Sequence, residues 1–242
     1  HWLKLLDRKR AKKNTPRFRR EELGSGVRWR IDQKELVSFF NPAYGAALEE
    51  LDMVPKSVNL MCNLQRRIES YHKVAFNKPD PGAHSDKPFS IHDMLGSKEE
   101  HLGERLFYDI NRRFSFIDHF FKEPLTPEEF ARSSYAEIGN FVGTPYQAAL
   151  RSGASAKELC FERKGALTLR EKRHPVTIQK SVSPKGPASF KAHYAITNNG
   201  VKELHCAFGI EFNFSIGETN AMKGLHEKNI KQWIFNDSWR GI

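Results

Sequence analysis

The polar residues best suited to binding chemistry occur together at positions 66–72, in the stretch RRIESYH. Arginine presents paired N–H donors and glutamate presents acceptors, while tyrosine and histidine combine a polar edge with a flat apolar face. This mixture suits hydrogen bonding to a sugar or a phosphate, and we assign Arg67, Glu69 and His72 as candidate carbohydrate-binding residues. The alternative interpretation is a surface arginine–glutamate pair beside a half-buried tyrosine.

A second pair of candidate binding residues, Asp118 and His119, lies in the aromatic stretch SFIDHFF. Neighbouring residues of a strand point to opposite faces, so we expect that the two are not both in the core. Whichever is buried must have a partner or a water molecule. Two adjacent residues cannot serve each other as acid and base, so general-base chemistry would need a partner from another element.

The longest alternating stretch is FGIEFNFSI at 208–216, in which large apolar residues occupy every second position. This period predicts a strand with one face in the core and Glu211 and Asn213 on a solvent-facing polar face. Carboxylate and amide groups together suit a hydroxyl-rich ligand, so both residues are candidate carbohydrate contacts on a concave sheet. A simple solvated sheet face explains the pattern equally well.

No catalytic residue, metal site or cofactor is predicted. The sequence contains no GxSxG elbow, P-loop or dinucleotide fingerprint. His84, Asp86, His92 and Asp93 lack the HExxH or paired-cysteine spacing that fixes metal-ligand geometry. The sequence also does not single out a pair of glycosidase carboxylates among its 29 acidic residues.

The elements that must position these residues are mainly strands. Short strand-like runs begin at Val27, and from Ala136 onward such runs alternate with turn signals at short intervals. We predict an all-β fold, a large antiparallel two-sheet sandwich. Short helical insertions are predicted to begin at Ser97 and at Thr126, where Pro127 occupies the first helical position.

Positive charge is concentrated at the beginning of the chain. The net charge is +10, and residues 1–30 contain eleven Lys or Arg against three Asp or Glu, which leaves a surplus of only two for the remaining residues. We therefore divide the chain into a basic leader, 1–26, poorly ordered or a remnant of a preceding segment, and a β-domain, 27–242, that is truncated at its C-terminal end.

The cysteines and the hydropathy pattern indicate the cellular compartment. The three cysteines are far apart in the sequence and do not suggest a disulfide framework or a zinc site. No run of apolar residues is long enough to span a membrane, and residues 1–30 lack a signal-peptide core. We expect a cytoplasmic protein.

Several segments in combination resemble a known family, the C-terminal β-domain of glycoside hydrolase family 57 α-amylases and 4-α-glucanotransferases. The likeness covers about residues 36–242. The segments that carry it are LEELD at 48–52, SVNLMCNLQRRIESYH at 57–72, IHDML with KEE at 91–100, FYDINRRFSFIDHFF at 107–121, and FGIEFNFSI.

The resemblance implies a supersandwich similar to that of galactose mutarotases, placed beside a catalytic (β/α)7 barrel that acts on α-1,4-linked glucans. The glutamate nucleophile and aspartate acid of the family belong to that barrel and match no residue of this chain. The implied role is an accessory domain, with an α-1,4-glucan or maltooligosaccharide and the barrel as partners, and a homodimer left open. The chain is then a fragment or a split gene product.

Two other functions are weighed against this one. The basic leader could bind nucleic acid or another acidic partner, with an affinity that falls steeply with salt. Alternatively, the domain could be a free-standing aldose-1-epimerase-like enzyme with Glu211 as base and His119 as acid, a hypothesis that rests on likeness of fold alone.

Overall fold

The computed structural model describes residues 15–24, 26–69, 72, 106–152 and 157–215. Within these ranges the chain forms antiparallel strands, one short α-helix, α1 (Pro127–Ala131), and one 3₁₀ turn, Val54–Lys56. The strands are β1 Arg17–Leu23, β2 Gly26–Asp32, β3 Leu36–Asn41, β4 Ala47–Met53, β5 Val58–Asn59, β6 Ile117–Phe121, β7 Gln147–Ser152, β8 Lys157–Leu169, β9 Lys172–Lys185, β10 Ser189–Asn198 and β11 Ala207–Glu211. The predicted all-β antiparallel fold with short helical insertions is confirmed.

The first sheet has five strands in the order β1-β2-β3-β4-β5. β1 pairs with β2 along its whole length, and its charges pair across the strands: Arg19 lies 3.5 Å from Asp32 and Glu21 lies 3.6 Å from Arg30. Residues 17–23 of the predicted basic leader therefore form an edge strand of this sheet. Residues 1–14 lie outside the described ranges, and the division into two parts stays a prediction.

The second sheet has four strands in the order β10-β9-β8-β7. β8 and β9 form a long hairpin whose turn residues, Arg170 and Glu171, both have positive φ, as a type I′ turn requires. The dipeptide His174-Pro175 would by itself favour a turn, but β9 runs through both residues. Pro175 is tolerated there because β10 begins to pair with β9 only at Val176.

A small third sheet, formed by β6 and β11, completes the architecture of the described residues. Apolar side chains from all three sheets pack into one core, with Phe40 from β3, Phe120 from β6 and Phe161 from β8 almost fully buried. The sheets are therefore layers of a sandwich closed by aromatic packing. Phe208 of β11 packs against this core, as its alternating pattern predicts.

The predicted helix at Thr126 is confirmed as α1, with a capping box between Thr126 and Glu129. The start of the helix predicted at Ser97 lies outside the described residues. Residues 106–113, the described part of the segment that follows, are not helical, and Asp109 accepts hydrogen bonds from the backbone and side chain of Arg66. Among the described residues, no helix has the length and hydrophobicity needed to cross a bilayer.

Candidate functional site

His119 lies between two carboxylates from distant parts of the chain. Its Nδ1 is 2.8 Å from Glu137 Oε2, and its Nε2 is 2.9 Å from Glu211 Oε2. The pairing of β6 with β11 places His119 and Glu211 on one face of the small sheet. Glu137 comes from the segment after α1, and its other oxygen accepts hydrogen bonds from the backbone N–H groups of Phe120 and Gly139.

The two carboxylates control the protonation of His119. Burial alone would lower the pKa of the imidazole, but the hydrogen bonds and charges of Glu137 and Glu211 outweigh it and raise the pKa to about 9. At neutral pH the ring is therefore an imidazolium that donates from both nitrogens. Because the residue is 0% exposed, it offers no free edge to a ligand.

Asp118 and His119 are both buried, so the expectation that they are not both in the core is wrong. The reason is that both faces of β6 are covered. On the face opposite His119, Asp118 Oδ2 accepts hydrogen bonds from Lys180 Nζ (2.9 Å) and from the hydroxyl of Tyr146 (2.6 Å). Each neighbour thus has its own set of hydrogen-bond partners on its own face of β6.

Asn213 is also buried, and the predicted solvent-facing row at Glu211 and Asn213 is wrong. Its Nδ2 donates to Glu211 Oε1 (2.6 Å) and to the backbone oxygen of Phe114 (2.8 Å), and its backbone N–H donates to Ser115 Oγ (2.9 Å). The strand ends at Glu211, and the chain then packs against residues 113–115. The polar groups are thereby used inside the protein.

Arg67, Glu69 and His72 form a separate group beside the segment 106–113. Arg67 and Glu69 are exposed and His72 is half-buried. His72 Nδ1 accepts a hydrogen bond from the backbone N–H of Glu69 (3.0 Å) and lies 3.1 Å from the hydroxyl of Tyr108. These three residues present polar groups at the surface, and carbohydrate binding by them, as by Asp118, His119, Glu211 and Asn213, stays a prediction.

No group of metal-ligating side chains occurs within the described residues. His84, Asp86, His92 and Asp93, whose spacing does not fit a metal site, lie outside those residues.

The outward face of the β7–β10 sheet carries a polar cavity that the sequence interpretation missed. Its volume is about 450 Å³, and its lining includes Gln147, Glu162, Gln179, Ser181 and His193. The signal in the sequence is the alternation of β8, β9 and β10, whose odd and even positions differ in burial. That alternation indicates strands but does not show that their outward faces align into a concavity, since register is a long-range property.

The geometry bears directly on the epimerase-like hypothesis. It brings Glu211 and His119 together, as that hypothesis requires. Both oxygens of Glu211 and both nitrogens of His119 are already engaged inside the protein. The arrangement is thus a structural clamp in the described residues and not an open acid–base pair.

The sequence of the chain is similar to those of known proteins. Residues 28–238 match the family described as "Alpha-amylase/4-alpha-glucanotransferase, C-terminal". A 4-alpha-glucanotransferase of Thermococcus kodakarensis is 29% identical over 77% of this chain and 26% of its own length. An alpha-amylase of Pyrococcus abyssi is 25% identical over 77% of this chain and 27% of its own length.

A solved structure shows the same fold. The crystal structure of the 4-alpha-glucanotransferase from Thermococcus litoralis aligns with a TM-score of 0.63 and 24% identity over 85% of this chain and 29% of that chain. The chain thus spans less than a third of the length of the relatives it matches. By its match over residues 28–238, it belongs to the family of α-amylase/4-α-glucanotransferase C-terminal domains.

Proposed function

We propose that this chain serves as the accessory β-domain of an enzyme that acts on α-1,4-linked glucans. The observation that carries the proposal is the family match over residues 28–238, together with relatives named for α-amylase and 4-α-glucanotransferase activity. In this role the sandwich supports a catalytic (β/α)7 barrel supplied by another part of the enzyme and contacts carbohydrate. The described residues contribute a scaffold in which the buried His119 and Lys180 side chains have carboxylate partners.

We also propose a cytoplasmic location, on the state of the cysteines. Cys62, Cys160 and Cys206 are all free thiols, and two of them are exposed, which fits a reducing compartment. The comparisons favour neither nucleic-acid binding nor epimerase activity. At residues 17–32 the paired charges of β1 and β2 also reduce the number of basic groups that are open to an acidic partner.

Two measurements on the full 242-residue chain test the proposal. Native gels that contain soluble amylose are expected to retard the chain, whereas gels with dextran are not. In a pull-down, the chain is expected to associate with the T. kodakarensis relative from which the matching part has been removed. Absence of both amylose retention and association would overturn the proposal. Size-exclusion chromatography would decide whether the chain also forms a homodimer.

A further inference from the structure

The outward face of the β7–β10 sheet is built from rows of residues that cross all four strands. Two adjacent rows line the cavity, and their members are Ala149, Cys160, Ser181 and His193 in one row and Gln147, Glu162, Gln179 and Ala195 in the other. Ala149, Cys160 and Ser181 of the first row have small side chains, whereas Gln147, Glu162 and Gln179 of the adjacent row extend further from the sheet, which produces the concavity. We call this surface the β7–β10 trough. Its volume of about 450 Å³ lies within the usual range for ligand pockets, about 300–1,000 Å³.

The trough is open to solvent in the part of the chain that the structure describes. Gln147, Gln179 and His193 are exposed, so no described element covers them. The side chains of Phe161 and Lys180 belong to the opposite, buried face of the same strands. The sheet therefore has a complete core on one side and an accessible polar concavity on the other.

The polar groups of the trough are partly ordered before any ligand arrives. Gln179 Nε2 donates a hydrogen bond to Glu162 Oε2 at 2.6 Å, which fixes the orientation of both groups. Arg151 and Glu158 also line the trough and occupy opposite positions on β7 and β8. Such ordering lowers the entropy that a bound ligand must overcome.

The balance of charge identifies the class of ligand. Carboxylates at Glu158 and Glu162 oppose the binding of a phosphate, which a single guanidinium at Arg151 would have to outweigh. No exposed tyrosine, tryptophan or phenylalanine lines the trough, so nucleic-acid bases would find no stacking platform. Alternating amide, carboxylate, hydroxyl and imidazole groups instead match a neutral ligand whose neighbouring hydroxyls both donate and accept.

We propose that the β7–β10 trough binds a segment of α-1,4-linked glucan through hydrogen bonds from sugar hydroxyls to Gln147, Glu162, Gln179 and His193. The shape and polar lining of the trough identify the location of the binding site. The ligand class rests on the proposed function, which associates this family with α-1,4-glucans. None of the residues that the sequence singled out for carbohydrate lies in the trough.

Cys160, in the floor of the trough, makes occupancy measurable. The full chain has three cysteines, and Cys62 and Cys206 are exposed, so the Cys62→Ser/Cys206→Ser variant leaves a single thiol. Burial raises the pKa of Cys160, and alkylation by iodoacetamide is therefore followed in alkaline buffer. Maltoheptaose is expected to slow the alkylation of Cys160, whereas a β-1,4-linked cellooligosaccharide is not. An alkylation rate that stays unchanged at saturating maltoheptaose would overturn the assignment.

A matched pair of substitutions tests the same surface without labelling. Ala149→Phe fills the trough from the exposed edge strand β7 and is expected to weaken amylose retention at least about tenfold. Thr168→Phe adds the same ring on the outward face of β8, six residues beyond Glu162 and about 20 Å away, and is expected to leave retention unchanged. If Ala149→Phe does not fold, Gln179→Ala replaces it.

The outcomes separate this proposal from the proposed function. If Ala149→Phe still retains amylose and maltoheptaose does not protect Cys160, the glucan binds elsewhere. That result would overturn the proposed binding site in the trough but not the proposed accessory role of the domain. Loss of all amylose retention in the unaltered chain, with association to the truncated relative preserved, would also overturn the trough alone. Absence of both retention and association would overturn both.

Discussion

Lys180 Nζ lies 2.9 Å from Asp118 Oδ2, and both side chains are 1% exposed. The ammonium group also donates to the backbone oxygens of Gly45 (2.8 Å) and Phe116 (3.0 Å), which uses its remaining donors. Both of these residues have positive φ, 65° and 62°, a conformation that is unfavourable for Phe116. The Lys180 side chain of β9 therefore links three places: Asp118 in β6, Phe116 just before β6, and the turn at Gly45 before β4.

Replacing Lys180 with Met is expected to lower the free energy of unfolding by about 3–5 kcal/mol, because the carboxylate of Asp118 would stay buried without its cation. Urea denaturation measures the change. Restoring neutrality with Asp118→Asn in the Lys180→Met background should recover part of the loss. A loss below about 1 kcal/mol would contradict the buried pair and is the size expected of an exposed one.

The stability of the domain is expected to fall in alkaline solution through His119. Its folded-state pKa is raised to about 9 against an ordinary value of 6.5, so the folded state holds the proton more tightly than the unfolded state. This contribution is complete below about pH 6.5 and is lost as the pH rises through about 9. Denaturation curves of the wild type across this window should show the decline.

The His119→Gln variant isolates this effect, because the wild type and the variant have all other titrating groups in common. The difference in free energy of unfolding between wild type and variant should shrink as the pH rises. A difference that stays constant across the window would show that His119 is not held as an imidazolium by Glu137 and Glu211. Direct titration of the His119 ring by NMR gives an independent value.

Gly165 is expected to tolerate no side chain. A Cβ at this position would lie 2.5 Å from Asn140 Oδ1 and 2.6 Å from the ring of Phe141, which is 0% exposed. Gly165→Ala should therefore cost about 1–3 kcal/mol through overpacking. The matched control is Gly24→Ala, where nothing lies within 4 Å of the added carbon. Equal urea midpoints for the two variants would contradict the packing described for β8.

Substitution of Glu211 separates a structural role from carbohydrate contact. Glu211→Gln weakens the clamp on His119 and should lower the urea midpoint, because a charged hydrogen-bonded partner is lost. We expect amylose retention to change by less than about twofold, since the side chain is directed into the protein. A large loss of retention with an unchanged midpoint would instead support the sequence-based assignment of Glu211 to sugar binding.

The fold class and the family were predictable from the sequence. The residues that pair with one another inside the protein were not. Period-two patterns are local, so the strands containing Ile31, Phe120 and Phe208 could be recognised and assigned to a core. The contact of His119 with Glu211 joins residues 92 positions apart, and that of Lys180 with Asp118 joins residues 62 apart. Such pairs depend on strand register, which a single sequence does not specify.

The polar residues of the candidate site were misjudged for a related reason. Asn213 and Glu211 alternate with large apolar residues, and alternation in antiparallel sheets usually means one wet face. Here the segments around Ser115 and Glu137 pack over that face. Glu211 and Asn213, whose alternation predicts exposure to solvent, are therefore hydrogen-bonded inside the protein. The β7–β10 trough could not be predicted, because its lining residues form no local sequence motif. They come together only through the register of four strands.

The edge strand β1 has a consequence for how the domain behaves in concentrated solution. Among the described strands it ends the five-stranded sheet, and its sequence, RFRREEL, contains five charged residues out of seven. An open edge can template intermolecular strand addition, and a dense row of charges makes that addition unfavourable. Neutral substitutions such as Arg20→Val or Glu22→Val would therefore be expected to promote self-association without disturbing the core.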